Sequence, residues 1–274
     1  MPGILLYGAV FLLYAVLAFH FWRTRWRNRS APPQIARWER AAILAPFALH
    51  TWLVYDVLFV QAGLRFGFGQ ALSVMLWLSV LLYWIESLFF QLEGMQAPIL
   101  ALAALCAPLP ALFPGLEVPA NTHSAEFRVH LALAMAAYGM LTIAALHALL
   151  MTLMERRLHG GAIAGPLAAL PPLLTMERLL FRVILAGFAL LTLTLATGIL
   201  FSETLFGRAM KFDHKTVFAF ISWFIFGGLL TGRYFYGWRG RLALRWTLAG
   251  FAALLLAYVG SRFVLEVILQ RNVS

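Results

Sequence analysis

Apolar residues in this chain fall in long unbroken blocks, and short polar stretches separate the blocks. Continuous runs of this kind predict helices; a membrane barrel would alternate apolar and polar positions every second residue. Eight blocks approach the roughly 20 residues that a helix needs to cross a bilayer. They are Gly3–Phe21, Ala41–Val60, Ala71–Gln91, Ala97–Phe113, Glu126–Met151, Leu179–Leu200, Thr216–Arg233 and Leu242–Leu269. The fourth is crowded by Pro98, Pro108, Pro110 and Pro114, so it is expected to be kinked or only partly inserted, with neighbouring helices satisfying the freed carbonyls. The last two blocks have the sharpest borders. A polar turn with Asp213, His214 and Lys215 opens the seventh, and the basic hinge GWRGR at 237–241 separates it from the eighth. The connection at 160–178 is rich in Gly and Pro, and Thr175, Glu177 and Arg178 mark the entry of the sixth helix. No connection is long enough for a soluble domain. Residues 1–274 are therefore read as a single integral membrane domain, an all-α polytopic bundle of about eight transmembrane helices.

Charge gives the bundle a direction. The chain is 62% hydrophobic and only 12% charged, yet its net charge is +10. Fourteen of its 21 Lys and Arg residues lie in or beside the first, fifth and seventh connections, from Arg23 to Arg40, Arg156 to Arg182 and Arg233 to Arg245. The positive-inside rule puts these connections in the cytoplasm and, with eight spans, both termini outside. The basic excess thus has a membrane explanation, and no nucleic-acid partner is expected. Cys106 is the single cysteine, which excludes dithiol chemistry by this chain alone. The first block has its basic residues after it, not before, as expected for an anchored helix and not a cleaved leader.

Ionisable residues within apolar spans carry the chemical information, because they are costly there. His50 lies midway along the second span, with Asp56 beyond it, and Glu86 lies in the inner half of the third. His20 and His147 approach the inner surface. Each of these histidines has a bland alternative, a neutral imidazole bonded to a carbonyl or hydroxyl. His130 and His214 both belong to the outer face. Two neutral imidazoles from separate segments can fill both axial positions of a haem iron, though imidazole also suits zinc and copper. Arg128, Arg208, Lys211 and Lys215 share that face and suit propionate groups. No HExxH, GxSxG or phosphate-binding glycine loop occurs. No strong internal repeat supports an inverted-repeat transporter.

Several stretches resemble the cytochrome c assembly family of membrane haem-handling proteins (CcsA and CcmC type), most closely its YpjD/HemX-like branch. The run RVHLALAMAAYGMLTIAAL around His130 is similar to the family's outer histidine helix, and TMERLLFRVILAGFALLTLTLATGIL to the helix that follows. The family's tryptophan-rich outer loop ends W-D-P-K. Here Phe201, Phe206, Met210 and Phe212 stand where its tryptophans would be, and Gly207, Asp213 and Lys215 match. Trp223, GWRGR and YVG follow in family order, so the core of the resemblance is about 126–269. The loop has no tryptophan, and LQRNVS offers no second outer histidine, a role for which His214 is the candidate.

The resemblance implies a non-enzymatic inner-membrane protein that binds or passes haem b. It would assist c-type cytochrome or respiratory-complex biogenesis, or haem supply. Expected partners are haem, membrane lipid, and apocytochromes or other membrane proteins. His130 and His214 would ligate the iron, with His50 a deeper contact. Arg208, Lys211 and Lys215 would receive propionates, and Phe206 and Phe212 would wall the porphyrin. The alternative is a transporter or accessory subunit that keeps the fold without the haem site, with His50, Asp56 and Glu86 marking a polar pathway.

Overall fold

The computed structural model describes residues 3–27, 37–60, 64–90, 92, 94–116, 124–159, 173–201 and 213–269, with backbone alone at 157–159. Eight helices account for most of them: α1 Ile4–Arg27, α2 Arg37–Val60, α3 Phe68–Phe89, α4 Gln96–Leu112, α5 Ala125–His159, α6 Leu173–Leu200, α7 His214–Tyr236 and α8 Arg241–Ile268. Seven of these, all but α4, are long and apolar enough to cross a membrane. The chain is a multi-pass membrane protein.

Seven of the eight expected helices are thus full-length spans, and the fourth, expected to be kinked or only partly inserted, is short and broken. α4 divides at Ala107–Pro108 into Gln96–Cys106 and Leu109–Leu112. Proline lacks the N–H that would continue the ladder, so the break falls where the prolines cluster. The segment still traverses the depth of α3. It leaves from the inner end of α3, and beyond its far end the Phe113 carbonyl accepts from Gln70 Nε2 at 3.2 Å. The Leu116 carbonyl accepts from the Phe66 N–H at 3.0 Å, beside the start of α3. The alternation of the following helices is thereby preserved.

Helices α1 to α4 pack into one half and α5 to α8 into the other, with α3 against α5 at the seam. In the second half α5 and α7 each pack on α6 and α8, so they face each other across a ring of four. The inner ends are tied by polar contacts. Arg25 and His20 both reach Glu39, at 2.6 and 2.9 Å. Glu177 accepts from Arg233 at 2.7 Å and lies near the Gly240 N–H, at 3.4 Å. These contacts lie at the helix ends that flank the first, fifth and seventh connections.

Candidate functional site at the outer end of the second half

The ring of α5 to α8 is closed below its outer third. Tyr138 Oη on α5 donates to the Leu254 carbonyl on α8 at 2.7 Å. Ser222 Oγ on α7 donates to the Gly250 carbonyl at 2.9 Å. Trp223 donates through Nε1 to Thr192 Oγ1 on α6 at 2.9 Å and stacks on Phe188 with centroids 5.7 Å apart. At Gly187 of α6 a Cβ would stand only 2.7 Å from Leu141 Cδ2 of α5, so this glycine allows a close approach of the two helices. Leu141, Leu191, Ser222 and Leu254 are all buried at this level. One to two turns further out, Ala134, Thr194, Ala219 and Tyr258 are only half-buried.

His130 sits at the outer end of α5, in its second turn, and is half-buried against α6. Its Nδ1 lies 3.0 Å from Thr197 Oγ1 on α6. The single hydroxyl proton of Thr197 is already directed at the Leu193 carbonyl, 2.8 Å away. The Thr194 carbonyl is a second acceptor at 3.1 Å; with its proton on either carbonyl, Thr197 accepts from the Nδ1–H tautomer of His130, which leaves a lone pair on Nε2. Gly198 completes the seat, because a Cβ there would come within 3.3 Å of His130 Cε1. A neutral imidazole held by a hydrogen bond at one nitrogen and free at the other is the form in which histidine ligates iron. The residues present therefore fit a haem ligand at this position.

His214 is the first residue of α7 and is exposed. Asp213 precedes it as the helix cap, accepting from the Thr216 N–H at 3.0 Å. The structure places His130 and His214 at the same end of the ring but on facing helices, without a direct contact among the described residues. Lys215 follows His214 and lies 5.8 Å from the centroid of Tyr258 on α8. Phe206, Arg208, Lys211 and Phe212, expected to complete the site, lie outside the described residues.

His50 goes elsewhere. It is fully buried in the first half, with Nε2 2.9 Å from Ser73 Oγ and the ring of Tyr14 edge-on at 5.8 Å. No contact joins it to α5 to α8 among the described residues. Glu86 and His147 meet across the seam, Oε2 to Nε2 at 3.6 Å, a pairing of α3 and α5 that reading the spans singly did not reveal. Thr197, Tyr258 and Arg262 were also missed as site residues. For Arg262 the signal was present, an ionisable group inside the last apolar run.

The profile of the cytochrome C assembly protein family matches residues 38–269. The chain belongs to this family. Among its relatives is the inner membrane protein YpjD of Escherichia coli (strain K12), 39% identical over 140 residues, which are 51% of this chain and 52% of the relative. A 28.8 kDa protein of Azospirillum brasilense is 33% identical over 182 residues, 66% of each chain. The cytochrome c biogenesis protein CcsA of Prochlorococcus marinus (strain MIT 9515) is 37% identical over 89 residues, 32% of this chain and 28% of the relative. The matched stretch thus spans about half the length of YpjD. The family match and the YpjD likeness agree with seven long apolar helices: this is a multi-pass bacterial inner-membrane protein of the YpjD-like branch.

Proposed function

We propose that the chain is a non-enzymatic haem-handling protein that holds a b-type haem at the outer end of the α5 to α8 ring, in the service of cytochrome biogenesis or haem supply. The observation that carries this reading is His130, half-buried with Nδ1 3.0 Å from Thr197 Oγ1, an arrangement that favours the tautomer with a lone pair on Nε2. CcsA, a relative, is named for cytochrome c biogenesis, and that name supports this reading. His214 supplies the second imidazole and Lys215 a cation for a propionate. In the outer loop Arg208 and Lys211 add charge, and Phe206 and Phe212 an apolar wall. A haem with both axial positions filled by imidazole suits carriage or electron transfer and not oxygen activation. His50 lies in the other half and is left out of this site. An apocytochrome or another membrane protein is the partner that would receive or deliver the haem.

The test is a haemin titration of purified protein, followed by absorbance. Wild type is expected to give a low-spin, two-imidazole spectrum. His214→Ala should convert this to a five-coordinate spectrum, and His130→Ala should lose most of the binding. A wild-type protein that leaves the haemin spectrum unchanged would sink the reading. The transporter alternative draws on Glu86, His147 and Gln96, which carry buried polar atoms without hydrogen-bond partners among the described residues. Under that alternative, haemin would not bind and Glu86→Gln would be the damaging change.

A further inference from the structure

Tyr258 anchors an unusual arrangement at the outer end of α8. It lies in a wide, π-type stretch of the helix, Leu256–Gly260, a local distortion that often accompanies function. Its hydroxyl donates to the Phe66 carbonyl at 3.3 Å, which ties the ring to the start of α3. Two cations from different helices address this one ring: Lys215 Nζ of α7 at 5.8 Å and Arg262 Cζ of α8 at 5.7 Å from its centroid.

Neither cation forms an ion pair within 4 Å among the described residues, and Arg262 Nε is buried without a hydrogen-bond partner. Glu266 is an acid one turn beyond Arg262 on the same helix. Its carboxylate is turned to the opening of α3, where a Cβ on Gly67 would collide with it. Lys215 and Arg262 repel each other beside this partly buried ring, and each of the acids that offset this, Asp213 and Glu266, acts more weakly on Lys215 than Arg262 does. An anion between them relieves that repulsion and meets the free guanidinium nitrogen.

Resting on the haem reading above, we propose that Lys215 and Arg262, seated on Tyr258, form the clamp for the carboxylate end of the porphyrin and so select diacid porphyrins. A phosphate of an outer-leaflet lipid shares this chemistry, because both are oxyanions. Zwitterionic and anionic bilayers therefore form separate arms of the test.

Full-length protein in phosphatidylcholine nanodiscs is titrated with haemin and with haemin dimethyl ester, which lacks both carboxylates. A charge-assisted hydrogen bond corresponds to about tenfold or more in affinity. Wild type should therefore bind the diacid at least about tenfold tighter than the diester. Arg262→Gln should lose that preference by weakening diacid binding alone, and Arg262→Lys should restore part of it. Unchanged diester binding also serves as the folding control for each variant. Equal wild-type affinity for the two porphyrins would overturn the clamp and leave the haem site standing. Failure of both to bind would overturn clamp and haem site together. If phosphatidylglycerol nanodiscs abolish the diacid preference and phosphatidylcholine nanodiscs do not, the cations belong to lipid and the proposal falls.

Discussion

At the scale of single residues, the outer site depends on how one hydroxyl is used. With its proton on a carbonyl of its own helix, Thr197 accepts from His130, and its role is then to fix which imidazole nitrogen carries the proton. Partners of this kind typically change metal affinity by about 10- to 100-fold when removed. Thr197→Val keeps the shape and removes the acceptor. It is expected to weaken haemin binding by about tenfold or more while leaving thermal stability close to wild type. If Thr197→Val binds haemin as tightly as wild type, the hydroxyl does not position His130. Only part of this was legible beforehand. His130 could be singled out as an ionisable group near a helix end, but Thr197 stands 67 positions away on another helix. Nothing in either local stretch announces that they meet. The same holds for Glu86 and His147, which are brought together at 3.6 Å by the packing of α3 on α5.

At the scale of the helices, small residues decide how closely the second half can pack. Gly187 lets Leu141 of α5 reach the backbone of α6, and Gly250 lets Phe226 of α7 approach α8. In a bilayer this close approach replaces the hydrophobic drive available in water. Gly187→Leu inserts four carbons where none fit, and overpacking of this kind costs about 1–3 kcal/mol. The variant should melt at a lower temperature in detergent, measured by thermal denaturation of the purified protein. It should also disturb the outer site, because α5 and α6 carry His130 and Thr197. An unchanged melting temperature would mean that α5 and α6 can separate without loss. The fourth segment teaches the same lesson from a different cause. Its prolines marked a break in the sequence, and the helix breaks at Ala107–Pro108, yet contacts from 113–116 to the start of α3 still carry it across.

At the scale of the whole molecule, the alternation of eight crossings sets which face each polar cluster meets. In a Cys106→Ala background, Glu126→Cys is expected to react with an impermeant maleimide added to intact spheroplasts, and Arg239→Cys only after the membrane is opened. Both positions are exposed at opposite ends of the bundle, so the reverse pattern would invert the orientation. Helix number, the weak fourth segment and the clustering of basic residues at one face were determined by the sequence itself. The reason is that bilayer thickness and the cost of burying charge act on each segment locally. Which helices become neighbours, and hence that His130 meets Thr197 while His50 meets Ser73, was decided only by tertiary packing. The rotation of each helix about its axis depends on side chains from other helices filling the same space, and no single segment contains that information.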